Sequence, residues 1–141
     1  MAISNDTLSV DVWNEMRTCL VAAAPYVTNT STAATTAASI KASYNDETSS
    51  KPIIEIVESV SDEAMDKFGG TQGSKLINLP INCYYSNSLG AAQLVDHVRK
   101  AVKDYTWPGM EAIAFTEDVG INISNRSIVF MKSITVTFDR E

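Results

Sequence analysis

The stretch Lys75-Leu-Ile-Asn-Leu-Pro-Ile-Asn-Cys-Tyr-Tyr85, continued by Ser86-Asn-Ser-Leu-Gly90 and then by Ala91 to Tyr105, decides the fold. In its first part Ile77, Leu79, Ile81, Cys83 and Tyr85 alternate with Asn78, Asn82 and Ser86, the period-2 pattern of a half-buried strand. Ser86 to Gly90 offers hydroxyl and amide side chains that can cap orphan helix amides. From Ala91 the period changes: Ala91, Leu94, Val95, Val98, Ala101, Val102 and Tyr105 recur at helical spacing. Gln93, Asp96, Arg99, Lys100, Lys103 and Asp104 take the opposite side. Asp96–Lys100 and Lys100–Asp104 have the spacing of helix ion pairs, each contributing a few tenths of a kcal/mol. Pro108 bars continuation, so the helix ends near Thr106 or Trp107. An amphipathic helix must therefore lie on the apolar face of a sheet that contains its own preceding strand.

Outward from this unit, Asn5 or Asp6 can cap a first helix whose stripe is Leu8, Val12, Met16, Leu20 and Ala23, flanked by Trp13 and Cys19 and closed by Pro25. Val27 to Ser50 is rich in Ser, Thr and Ala with little to bury, and reads as a linker or loosely held excursion. Within it Ile40–Tyr44 can form a short edge strand, and Asn45–Ser50 a turn. Pro52 opens a strand from Ile53 to Val60, apolar on both faces as in a central strand. Ser61 to Gly73 reads as a polar, mobile connection. Pro80 lacks a donor and fits best at an edge or a bulge. Ile113 and Phe115 share one face of a later strand, and Asn125-Arg126 is a plausible reversal. Ile128, Phe130, Ile134, Val136 and Phe138 share a face of the last strand, opposed by Ser133, Thr135 and Thr137. Lys132 interrupts that face and predicts a bulge or a snorkelling side chain. The fold class expected is α+β: an antiparallel four- to five-stranded sheet with two helices packed on one face, in a single domain spanning 1–141.

At 141 residues the chain fits one domain, able to bury roughly 70% of its unfolded surface. Its formal charge of −6 argues against a nucleic-acid-binding surface, since phosphate contacts need a basic patch. Two cysteines, Cys19 and Cys83, both at apolar positions, read as buried thiols rather than a disulfide framework. The N-terminal residues lack the basic and apolar regions of a secretory signal, and no apolar run approaches the ~20 residues that cross a bilayer. These features place the chain as a soluble protein made in a cytoplasm.

Gly69 to Lys75 is glycine-rich, but Ser74 separates Gly73 from Lys75 and Leu76 follows, so the P-loop pattern is not met. His97 is the one histidine and sits among charged helix neighbours, the place of an exposed or boundary helix residue rather than of a catalytic base. Asp46-Glu47, Asp62-Glu63 and Glu117-Asp118 lack the spacing of a calcium loop and read as solvated turns. No catalytic residue, cofactor site or metal site is expected.

The order of elements resembles the tail-terminator (tail-completion, head-tail joining) proteins of tailed phages. The likeness is carried by the helix Thr7–Ala24, the proline-led strand Lys51-Pro-Ile-Ile-Glu-Ile-Val-Glu58, the Leu76–Tyr85 strand running into the Ala91–Tyr105 helix, and the closing hairpin Glu111–Phe138. It covers most of the chain as a pattern of elements; the Ser/Thr/Ala-rich excursion departs from compact members. The resemblance implies a non-enzymatic virion structural protein, assembled in the host cytoplasm. It would form a homo-oligomeric, hexameric ring that caps the tail tube, stops its polymerisation and meets the head connector and neck proteins. DNA would pass through the ring without sequence-specific contact, and no membrane is involved. Candidate subunit or partner contacts are Asp62, Glu63, Asp66, Lys67 and Phe68 in the polar connection, and Thr135 and Thr137 on the open sheet face. Another neck or tail-tube protein is the alternative within this class. A small ligand-binding α+β module is the alternative outside it.

Overall fold

The computed structural model describes residues 3–4, 6–43, 52–65, 72–118, 120–122 and 129–140. Along the chain the elements are α1 (Leu8–Ala23), β1 (Tyr26–Thr28), β2 (Thr35–Ala37), β3 (Ser39–Lys41), β4 (Ile53–Ile56), β5 (Val60–Met65), β6 (Gln72–Tyr85), α2 (Ser88–Asp104), β7 (Met110–Glu117), β8 (Ile121–Asn122) and β9 (Phe130–Arg140). The main sheet runs β3-β4-β6-β9-β7, with β5 also on β6 and β8 also on β9, while β1 and β2 form a separate hairpin. The fold is α+β and mostly antiparallel, but the expected four or five strands become seven in the main sheet among the described residues. The reason is length. β6 has 14 residues and β9 has 11, so each meets two shorter segments along one side. One pair also departs from the antiparallel rule: β3 runs parallel to β4.

The alternation of β6 is realised as read. Ile77, Leu79, Ile81 and Cys83 are buried with Ile134, Val136 and Phe138 of β9 beneath Leu94, Val95, Val98 and Val102 of α2. Leu8, Val12, Met16 and Leu20 of α1 join the same cluster, so both helices cover one sheet face. Ala23, expected in that stripe, is exposed. Removing each such side chain from water stabilises the fold by roughly 1.5–3 kcal/mol.

Local chemistry sets the helix ends. Asn87 caps α2, its side chain accepting from the Gly90 amide at 2.7 Å. A Cβ at Gly90 would fall 2.3 Å from the Tyr85 ring, so close approach of helix and strand requires glycine there. α2 stops at Asp104, slightly before the expected end, and the Trp107 indole donates to the Val102 carbonyl at 3.0 Å. α1 is not capped by Asp6. Thr7 occupies the N-cap without a side-chain cap, and Asp11 instead accepts from the Ser4 amide and the Thr7 hydroxyl, which hold its carboxyl below the usual range. Asn5 lies outside the described residues. Lys100 pairs with Asp104 at 3.1 Å as expected, whereas Asp96 turns to Arg99 at 3.2 Å rather than to Lys100.

Three strand readings are corrected. Pro80 sits in a central strand, not at an edge. Its carbonyl accepts from Val57, so its donorless nitrogen faces the same side, where Val57–Ser59 interrupts the pairing between β4 and β5. The single strand expected over Ile53–Val60 breaks there for the same reason. In β7 the register shifts between Ala112 and Ala114, which turns Ala112 and Phe115 toward the core and leaves Ile113 outside, off the face it was expected to share with Phe115. At Lys132 the pairing of β6 with β9 stays regular, so the snorkelling alternative holds and Nζ reaches Glu117 at 3.6 Å.

The excursion from Val27 is partly structured. β1 pairs with β2, Val27 is buried, and the turn is closed by Asn29, whose side chain accepts from the Ser31 and Thr32 amides at 2.8 and 3.1 Å. The hairpin is tied to α2: the Thr28 amide donates to Gln93 at 2.8 Å and the Tyr26 amide to His97 Nδ1 at 3.2 Å. The edge strand expected over Ile40–Tyr44 forms at Ser39–Lys41. Likewise the connection expected over Ser61–Gly73 is in part paired strand, since β5 and β6 continue into it as an antiparallel pair.

Candidate functional site

With both helices on one side, the other side of the main sheet is left without a helix among the described residues. Cross-strand registry sorts its residues into rows. Glu55, Asn82 and Ser133 lie side by side, and so do Ile53, Tyr84 and Met131. Pro80, Thr135 and Thr116 form a further row, and Val60, Asn78, Thr137 and Ala114 another. Six of the polar members bond to each other. The Ser133 hydroxyl donates to Asn82 Oδ1 at 2.6 Å, while Asn82 Nδ2 and the Tyr84 hydroxyl each donate to Glu55 at 2.8 Å. Thr137 donates to Asn78 Oδ1 at 2.8 Å. Such pairing lets a half-buried polar face stay rigid without water in every position.

Thr135 and Thr137 therefore lie on the open face as expected, with Thr137 already engaged by Asn78. Asp62 and Glu63 belong to β5, where they stand opposite Leu76 and Lys75 in registry. That places them in a strand rather than in a loop, and away from the row of Thr135. Asp66, Lys67 and Phe68 lie outside the described residues, as does the expected reversal at Asn125-Arg126. An apolar patch on this face was not anticipated: Ile53, Tyr84 and Val129 are buried together with Met131 against them. The pair Tyr84-Tyr85 holds the available clue, since two adjacent aromatics in a strand must face opposite sides.

By registry the open face carries the carboxylates of Glu55, Glu111 and Asp139, with Lys41 beside Glu55. The cations of the neighbouring region are on the helix side. Arg99 is paired with Asp96 and Glu117, and Lys132 with Glu117, linking α2 to the strands. Glu117 is thus an ion-pair partner rather than part of a solvated acidic turn.

Two grooves flank α1. One, of 520 Å³, lies between α1, β1 and α2 and is lined by residues including Cys19, Tyr26, His97, Lys100, Asp104 and Tyr105. His97 Nδ1 accepts from the Tyr26 amide, and the two rings meet edge to face at 4.6 Å. Burial pushes the Cys19 thiol up to about 12, with the Glu15 carboxylate adding to the shift, so the sulfur remains a neutral thiol. The other groove, of 570 Å³, opens at the strand break beside Val10, Trp13 and Val57. Among the described residues no three His, Cys, Asp or Glu side chains converge as metal ligands. Nor is any helix long and apolar enough to cross a membrane.

Comparison with known proteins gives no matching family model and no matching curated protein.

Proposed function

We propose that the protein is a virion structural subunit, a tail terminator whose copies form a hexameric ring that caps the tail tube, stops its growth and joins it to the head connector. The resemblance of the element order supplies the identity of the ring. One structural observation supports it most: both helices cover a single face, leaving an open sheet face on which Glu55, Asn82, Tyr84 and Ser133 are mutually bonded, as are Asn78 and Thr137. A small-molecule site would leave convergent polar groups unpaired in a concavity; an assembly face needs a rigid, self-satisfied surface. The outer sides of β5 and β7 also pair with no strand among the described residues, so edges remain for neighbours. The formal charge of −6, repeated around a ring, disfavours DNA sticking to the lumen. The location that follows is the tail or neck of the virion.

Negative-stain imaging of the purified protein tests this reading. Rings of uniform diameter are expected, and their addition to growing tail tubes should halt elongation. Isolated subunits that leave tube growth unchanged contradict it; rings that join tubes without stopping them transfer the protein to the neck or the tube itself.

A second reading, a ligand-binding α+β module, is favoured by the 520 Å³ groove with His97, Lys100, Asp104 and two tyrosines. A ligand-dependent rise in melting temperature of a strict monomer would select it.

A further inference from the structure

We propose that His97 is a pH-sensitive latch: its neutral imidazole holds the β1–β2 hairpin against α2, and its protonation lets the hairpin go. This goes beyond the assembly reading and does not depend on it.

The hairpin needs an outside hold. Each of its strands is three residues long, the pair is not joined to the main sheet, and Val27 is its one buried side chain. A two-stranded hairpin by itself is at best marginally stable in water. β1 takes α2 in place of a third strand. The amides of Tyr26 and Thr28 are donated not to β2 but to His97 Nδ1 at 3.2 Å and to Gln93 Oε1 at 2.8 Å. Two residues of strand span roughly 6.6 Å and four residues of helix about 6 Å, so one turn of α2 matches the repeat of β1. Gln93 also returns a bond, its Nε2 donating to the Thr28 hydroxyl at 3.0 Å.

The two holds differ chemically. The Gln93 amide does not titrate, so its bonds to Thr28 are indifferent to pH. His97 accepts through a ring-nitrogen lone pair, which is also the place a proton binds. An imidazolium carries N–H at both nitrogens, so N–H would face N–H where the bond to Tyr26 stood. The closed latch and the bound proton exclude one another, and the released hairpin holds one proton more. The closed hairpin is therefore fully held at alkaline pH, and its advantage shrinks up to about tenfold per pH unit below about 6.5, where a histidine without partners titrates.

The groups around the imidazole leave this change to His97. Lys100 and Asp104 of α2 line the same groove but pair with each other at 3.1 Å, so together they add no net charge. Asp96, next to His97 in α2, is paired with Arg99. Cys19 of α1 and Tyr105 of α2 are both raised to about 12 and keep their protons across the range in which a histidine titrates. Glu15 of α1 is taken up by the Tyr105 hydroxyl. From β1 the Tyr26 ring meets the imidazole edge to face at 4.6 Å, so it leaves when the strand leaves. Tyr26 is the β1 wall of the 520 Å³ groove, and release of the hairpin opens that groove on the side of Ala22 and Ala23.

The chain has one histidine, so imidazole nitrogen signals in the NMR spectrum of the full wild-type chain belong to His97. At pH 8 Nε2 should carry the proton and Nδ1 none; a proton on Nδ1 would overturn the latch. Amide exchange, expressed as protection relative to the unstructured rate, is then followed from pH 8 down to about pH 5.5. Protection of the Tyr26 amide should fall about tenfold, in step with the titration of the His97 nitrogens, while that of Val98 in the buried middle of α2 stays constant. His97→Gln, which cannot titrate, should give a flat Tyr26 profile whatever its protection at pH 8. A flat profile in the wild type, an equal fall in the variant, or an equal fall at Val98 overturns the proposal. The nitrogen assignment and the wild-type profile decide the matter even if the variant does not fold.

Discussion

Tyr105 donates its hydroxyl to the carboxylate of Glu15 across 2.5 Å, tying the C-cap of α2 to the covered side of α1. Glu15 is the one charged residue among the buried polar groups of the described core, only 7% exposed, so the donor matters more than an average hydrogen bond. Trp107 extends the joint, stacking edge to face on both Tyr105 and Phe138. Through it the two helices and the last strand are held as one body beneath the open face.

Tyr105→Phe removes that donor and leaves the Glu15 carboxylate without it, which should destabilise the fold by about 1–3 kcal/mol in urea titrations at neutral pH. The Glu15→Gln, Tyr105→Phe double variant should recover part of the loss, because no buried charge then remains. An additive double variant would show that the two groups act independently.

The same pair predicts a pH limb. The hydrogen bond to Glu15, helped by burial and by the carboxylate charge, pushes Tyr105 up to about 12 from an ordinary value near 10. A group raised on folding contributes stability that is complete below its unfolded value and is lost as pH rises through its folded one. Wild-type stability should therefore fall between roughly pH 10 and pH 12 more steeply than that of Tyr105→Phe. Parallel curves would exclude the coupling. Cys19 titrates in the same window, so the difference between the two proteins is the quantity to read.

Asn87→Ala should lower stability by about 1 kcal/mol through loss of the α2 cap, with Asn87→Ser or Asn87→Asp largely sparing it. Gly90→Ala should do more harm than helix propensity alone suggests, because propensity favours alanine while the Tyr85 ring blocks its methyl group. A stabilised Gly90→Ala protein would show that the helix can move off the strand.

Burial raises both thiols, Cys83 above the range in which it could ionise short of strong alkali and Cys19 to about 12. Native protein at pH 8 should resist alkylation at both positions and react at both in urea, as read by intact mass. Rapid labelling of Cys83 in native buffer would contradict its place between sheet and α2.

His97→Ala or Gln93→Ala cuts one of the side-chain ties between α2 and the β1–β2 hairpin. Amide exchange over 26–37 should quicken while the global unfolding midpoint and ring assembly stay the same. Lost assembly in His97→Ala would assign the hairpin or the neighbouring groove a part in function.

The elements legible in the residues are those whose pattern is local. The change of period around Ser86–Gly90 announced β6 and α2, and the spacing of Leu8, Val12, Met16 and Leu20 announced α1. Ser133, Thr135 and Thr137 opposite the buried Ile134, Val136 and Phe138 announced the open face. What escaped depended on partners distant in the chain. A Thr/Ala-rich segment becomes a hairpin because Gln93 and His97 accept its amides, and no composition reveals that. Pro80 is tolerated inside the sheet because a neighbouring strand breaks beside it, and the parallel β3–β4 pair is a matter of topology. Ala112-Ile-Ala-Phe115 fits plain alternation equally well until one residue is inserted, so the exposure of Ile113 could not be read from it. Of the candidate contacts, only Thr135 and Thr137 were recognisable as members of a surface, because alternation alone places them.

Native mass spectrometry of the wild-type protein at micromolar concentration tests the central claim most directly. The account predicts a single closed assembly of six copies, stable to dilution and free of bound metabolite. A monomer at all concentrations, or one carrying a small molecule in stoichiometric amount, would contradict it.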